Sequence, residues 1–394
     1  MKRKLTLHIG TEKTGTTSIQ NTLKANYDNL NQLGILYPKC FKLSNHVEMA
    51  VCFQTYNPDS ELYSVVGLSN NKSDVENFKV NFLKKLEREI IESNCEHVVI
   101  SNEHLHSRIT SLEEVENIYH WASSIFDEIE VSLYLRKQSD LAISHFSTAI
   151  KSGSTITNPF PHDVIDSYYY NYQILTELWG SKFKQLTVRA FSRNSLEYGD
   201  VVKDFLYNVV VIDEPSLNKF EYPNDSNISL GIRALAFLSY VNQKIPLIEN
   251  GRLNPLRRRL VSYLENSAKK DKNLVMPYNI ISEFQDLFKE SNKSCKYISD
   301  EVRDYLLSKV SRKESTFEEF SLLLKDTESH QFTLDLWLDS IRFSNFAEVR
   351  NSIFQAEIAL HNNNREEALQ LLSLAESINP QQPIVEAMRK KLTS

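Results

Sequence analysis

The chain has 394 residues, 41% hydrophobic and 24% charged, the composition of an ordinary globular protein able to bury one large core or two smaller ones. Its formal net charge of -6 provides no overall basic field, so nucleic acid is not an expected partner and any anion site must be local. Four cysteines, Cys40, Cys52, Cys95 and Cys295, stand far apart with no C-x-x-C spacing, which argues against a zinc site or a disulfide framework and fits a reducing cytoplasm.

The opening, MKRKLTLHIG, joins a basic start to an apolar run too short for a signal peptide, and no later stretch has the apolar length of a membrane span. Lys4 to Ile9 predicts a strand, and the residues after it, GTEKTGTTSIQ, predict a loop between Gly10 and Gly15 that opens a helix. In the NTPase phosphate loop, G-x-x-x-x-G-K-[ST], the lysine follows the second glycine and the next hydroxyl holds Mg²⁺. Here Thr16 stands in the lysine's place and Lys13 lies inside the loop. Backbone N–H groups from Thr14 to Thr17, with the positive end of the following helix, still form an anion cradle. Only 9 glycines occur in the chain, so two of them bracketing this loop are unlike random punctuation.

A second strand, Glu96 to Ser101, leads into Asn102, Glu103, His104 and His106, a dense cluster of titratable groups at a strand end. A third, Glu130 to Leu135, is followed by Arg136, with Ser144 eight residues further on in a helical stretch. A guanidinium offers phosphate oxygens a planar fork, and a hydroxyl two helical turns on can reach the same group. Lys151, in IKSGS, is a further candidate for that side. The fourth strand, Gln185 to Phe191, carries Arg189, which is expected either to contact a ligand at the strand ends or to pair with a buried carboxylate. The aromatics from Tyr168 to Tyr172 and Trp179 have the spacing of core residues.

This alternation predicts an α/β fold with a parallel sheet covered by helices. Lys13, Glu103, Arg136 and Arg189 all fall at or just beyond strand ends, where such sheets bind ligands. From about Asn227 the pattern turns helical, with no further strand expected. Residues 301–350 read as a helical linker. Residues 351–394 read as a helical hairpin, with Ala356 and Ala359 on one helix, Ala368 and Ala375 on the next, Asn379-Pro380 as a breaker and a third helix after Pro383.

The loop around Lys13 resembles the phosphosulfate-binding loop, K-[ST]-G-T-[TS], of sulfotransferases that use 3′-phosphoadenosine-5′-phosphosulfate. The spacing of Arg136 and Ser144 resembles that family's 3′-phosphate site. The resemblance covers roughly residues 1–300, including a helical extension from about 227. It implies a three-layer α/β/α fold of the phosphate-loop kind, the sulfotransferase fold, followed by an all-helical C-terminal region. It further implies that Lys13 holds the bridging oxygen of the donor, that Thr14, Gly15, Thr16 and Thr17 bind its 5′-phosphate, and that Arg136 and Ser144, with Lys151 nearby, bind the 3′-phosphate. Glu103, in Ser101-Asn102-Glu103, is then the favoured proton acceptor with His104 as its rival, and His46, His106 and Arg189 fall on the acceptor side. No metal is implied.

The activity implied is transfer of a sulfuryl group to a hydroxyl or amine of a carbohydrate, in making a bacterial surface or secreted polysaccharide. The absence of an R-x-G-x-x-G-x-W-K segment points away from small phenols and steroids. The last segment resembles a tetratricopeptide-type helix pair; one such unit cannot build a solenoid, and it fits either packing on the main domain or self-association. Two other functions remain open at this point: a phosphotransferase with an unusual phosphate loop, and a non-catalytic adaptor with a decayed nucleotide site.

Overall fold

Apolar runs without polar alternation mark strands buried on both faces, and such strands belong to parallel sheets. The computed structural model describes residues 2–223, 229–249, 252–267, 271–361, 364–378, 385 and 389. Its central sheet has five parallel strands, β1 (Lys4–His8), β2 (Ile35–Leu36), β3 (His97–Ser101), β4 (Glu128–Leu135) and β5 (Gln185–Ala190), in the order β2-β3-β1-β4-β5. Leu7 of β1 pairs with Ile100 on one side and Val131 on the other. The chain builds β2 and β3 to one side of β1, then crosses to build β4 and β5 on the other. The crevice beyond the carboxyl ends at such a reversal is where open sheets bind ligands.

Successive side chains along a strand point to opposite faces. Leu5, Leu7, Val98, Ile100, Val131 and Leu133 therefore join the larger core, whereas Val99 and Tyr134 join a second one with Ile19 and Leu23 of helix α1 (Thr16–Ala25) and with Phe205. Helices cover both faces, giving three layers. Truncating a fully buried leucine such as Leu7 to alanine costs about 2–5 kcal/mol at sites of this kind.

The four long strands lie within two residues of the expected limits. Two short elements depart from expectation. The edge strand β2 has 2 residues, too few for a period-two signal. The expectation of no strand beyond about residue 227 is corrected by a two-stranded antiparallel pair, β6 (Ile248–Glu249) and β7 (Arg252–Leu253). Asn227 itself lies outside the described residues.

Residues 301–350 are not a linker. Val302, Leu306, Phe320 and Leu334 are buried in the larger core, which draws this stretch into the main body. The division at residue 350 falls inside one continuous helix, Thr327–His361. Its far end pairs with the helix Arg365–Ile378 around a separate small core of Val349, Ile353, Ala356, Ala359, Ala368, Leu372, Ala375 and Val385. The Asn379-Pro380 breaker and the helix start after Pro383 lie outside the described residues. Among the described residues no helix is long and apolar enough to cross a membrane.

Candidate functional site

The loop after β1 turns through three residues with positive φ: Gly10 (+106°), Lys13 (+65°) and Gly15 (+78°). Glycine is required at 15 on two grounds, because a Cβ there would be strained by that φ and would lie 2.6 Å from Cγ1 of Val201. A lysine in the left-handed region is uncommon, and such outliers gather at functional sites.

Hydrogen bonds tie the loop to its neighbours. The Thr11 N–H and hydroxyl both donate to the carbonyl of Tyr134 (3.2 and 2.9 Å), and the Tyr134 N–H donates to the carbonyl of Gly10 (2.7 Å). The Thr14 hydroxyl donates to the Thr11 carbonyl (2.6 Å), so at this position the backbone amide, not the side chain, is left for a ligand. Gly15 is the N-cap of α1 and supplies no side-chain cap to the first-turn amides of Thr16 and Thr17.

Arg136 follows β4, the strand beside β1. Its Nη1 donates to the main-chain carbonyl of Lys13 at 3.1 Å. Tyr172 donates through its hydroxyl to the Arg136 carbonyl (2.5 Å), and the guanidinium stands 5.7 Å from the centre of the Phe191 ring. Arg136 and Ser144, which lies on the helix Gln138–Lys151, line one cleft of about 610 Å³. Lys137, Ser147, Lys309 and Lys313 are among its polar lining, together with the carboxylate-bearing Asp140. The Ser147 hydroxyl is buried there without a partner. Lys137 is held by the Ser308 hydroxyl (2.9 Å) and the Lys309 carbonyl (3.0 Å). Lys151 does not line this cleft; it pairs with Glu265 at 3.1 Å.

Lys13 lies between charges of both signs. Burial is the main force lowering its pKa; Lys151 and Arg136 add to it, while Glu12 and Glu103 oppose it. Glu103 accepts a hydrogen bond from Nε2 of Gln20 (2.6 Å) and packs against Gly10, where a Cβ would approach within 3.3 Å. His104 opens the helix His104–Arg108, its backbone N–H bonded to Oδ1 of Asn102 (2.8 Å).

The structure revises three acceptor-side expectations. His106 is fully buried with both ring nitrogens engaged: Nδ1 accepts from the Glu12 amide (3.3 Å) and Nε2 donates to the Tyr169 carbonyl (3.1 Å). Burial lowers its pKa to about 4, so it braces the loop as a neutral ring and offers an acceptor nothing. Arg189 takes the buried-carboxylate alternative, its guanidinium forking onto Asp204 at 2.6 and 2.7 Å. Asp204 is wholly buried and also accepts from the Tyr134 hydroxyl, the Glu197 amide and Asn208. His46 is 1% exposed and stacked between Tyr37 and Phe41, with ring centres 4.1 and 3.9 Å away, in a separate cleft of about 330 Å³. Only its carbonyl reaches the strand end, accepting from Asn102 (2.8 Å).

Sequence reasoning missed Glu12, Gln20, Ser147, Lys309 and Lys313. Glu12 adjoins Lys13 and was legible as a second charge in the loop; the lysines carried no local signal. Tyr170, Tyr172 and Trp179 are core residues as expected, but the hydroxyls of Tyr172 and of neighbouring Tyr169 reach the site. Among the described residues no group of three or more His, Cys, Asp or Glu side chains is placed to hold a metal ion. Comparison with family models, curated proteins and solved structures finds no match for this chain.

Proposed function

We propose that this chain is a sulfotransferase of the sulfotransferase fold, moving a sulfuryl group from 3′-phosphoadenosine-5′-phosphosulfate to a hydroxyl or amine of a carbohydrate, in making a bacterial surface or secreted polysaccharide. The carrying observation is the hydrogen bond from Arg136 to the Lys13 carbonyl. It draws the guanidinium against the loop, which supports a single ligand that meets both, such as a nucleotide with phosphate at its 5′ and 3′ positions.

In this reading the amides of Thr14 to Thr17 hold the 5′-phosphate and Lys13 stabilises the charge that grows on the departing phosphate oxygen. Arg136, Ser144 and the unpartnered Ser147 hydroxyl hold the 3′-phosphate, with Lys309 and Lys313 adding positive charge at the cleft wall. Glu103 and His104, on the other side of the loop, are the groups available to take the acceptor's proton. The acceptor class rests on the sequence resemblance.

The test is thermal. The product nucleotide, 3′-phosphoadenosine-5′-phosphate, should raise Tm by mass action, and ATP with Mg²⁺ should raise it much less. Equal shifts from the two would remove the 3′-phosphate site and the reading with it.

A further inference from the structure

Glu12 has no part in the scheme above, yet its carboxylate lies between Tyr169 and His104. Its Oε2 accepts the Tyr169 hydroxyl at 2.9 Å, and its Oε1 lies 3.8 Å from Nδ1 of His104. That nitrogen is buried and has no hydrogen-bond partner, whereas the His104 side chain as a whole is 24% exposed. One edge of the imidazole is therefore turned inward on a carboxylate while part of the ring stays accessible. Glu12 is itself fixed through its backbone, whose amide donates to His106. The rival base, Glu103, already accepts the Gln20 amide.

We infer that Glu12 is a positioning residue that holds the Nδ1–H of His104, so that Nε2 of His104 takes the proton of the acceptor. The inference rests on the sulfotransferase reading. A carboxylate behind an imidazole selects the tautomer and stabilises the imidazolium as it forms. At 3.8 Å the contact is longer than a hydrogen bond, and the inference requires it to shorten when the acceptor is seated, as catalytic hydrogen bonds that are long in free enzymes do. The step balances: the acceptor's O–H proton passes to Nε2 and its electron pair forms the new S–O bond. The bridging S–O bond breaks, and its pair stays on the phosphate oxygen facing Lys13.

The charged and titratable groups around this pair are named by the same geometry. Glu12 is faced by His104, His106, His145, Tyr169 and Lys13, and His104 by Glu12 and by Glu61, which is itself paired with Arg108.

The experiment compares the full chain with Glu12→Gln, Glu12→Asp, His104→Ala and Glu103→Gln. Proton NMR follows the histidine rings, with the His104 signal assigned by its loss in His104→Ala, and hydrolysis of the donor to sulfate serves as the rate probe, with water as acceptor. Glu12→Gln should move the ring-proton signals of His104, because the carboxylate no longer selects the Nδ1–H tautomer. It should cut turnover at least ~10-fold with the donor KM nearly unchanged, and Glu12→Asp should restore part of the rate. Unmoved His104 ring signals in Glu12→Gln, or wild-type turnover in His104→Ala beside a dead Glu103→Gln, overturns the inference while the nucleotide-induced rise in Tm persists. Loss of that rise in the unaltered chain overturns the sulfotransferase reading itself.

Discussion

The guanidinium of Arg136 donates to the carbonyl of Lys13 at 3.1 Å, joining two strand ends that lie 123 residues apart in the chain. The contact exists because β4 lies directly beside β1 in the sheet. It brings the Lys13 loop and Arg136 together.

Arg136→Lys is therefore not a conservative change. An ammonium has no planar fork for a phosphate and loses the stacking distance to Phe191. The dissociation constant of 3′-phosphoadenosine-5′-phosphate should rise at least ~10-fold, about 1.4 kcal/mol, by calorimetric titration. An unchanged constant would dissociate Arg136 from the nucleotide.

Gly15→Ala should destabilise the fold by about 1–3 kcal/mol, from the left-handed backbone and from the collision with Val201. Chemical denaturation measures the loss. The same change at Gly34, whose φ is also positive but whose Cβ would meet nothing within 4 Å, should cost less, since only the backbone term remains.

Arg189→Ala leaves the Asp204 carboxylate buried without its charge partner. Breaking a buried pair by removing one member costs about 3–5 kcal/mol, reduced here because the Arg189 side chain is 28% exposed. The melting temperature should fall while nucleotide affinity of the folded protein holds. A stable variant with a weakened acceptor KM would restore Arg189 to the acceptor side.

Stability should fall on acidification from about pH 6.5 toward pH 4. Burial holds His97 and His106 down to about pH 4 and His8 to about 3, with His46 also well below its usual value. The folded state keeps these rings neutral while the unfolded chain binds protons, so unfolding takes up protons throughout that window. The stability they confer is complete above pH 6.5, and each such ring contributes a slope of up to about 1.4 kcal/mol per pH unit below it. Denaturation midpoints between pH 8 and pH 5 check this, and His97→Gln, removing one titrating group, should flatten the slope. A midpoint independent of pH would contradict the burial of these rings.

The sheet was legible because strands buried on both faces read as apolar runs, and the loop because its two glycines and lysine fall within one short stretch, Gly10 to Gly15. The rest of the site was hidden for a physical reason: partner choice is tertiary. Nothing near Arg189 in sequence says that Asp204, wholly buried, will claim both of its forks. His106 is engaged by a backbone amide 94 residues away. Lys309 and Lys313 reach the cleft of Ser144 only because Val302 and Leu306 bury the helix Asp300–Leu307 in the main core. The supposed linker was misjudged for the same reason, since its apolar positions are sparse and find their partners across the fold.

The helix Thr327–His361 belongs to two hydrophobic interiors. Near its start, Nε2 of His330 bonds the Leu323 carbonyl (2.9 Å) and its ring rests beside Phe237 and Tyr240, while Leu334 is sunk in the body that carries the sheet. Its last turns supply Ile353, Ala356 and Ala359 to the terminal hairpin. A chain cut after residue 326 removes Leu334 from the larger core, whereas one cut after residue 350 keeps Leu334 but removes Ile353, Ala356 and Ala359 from the terminal core. One helix thus ties the terminal hairpin to the body that carries the sheet.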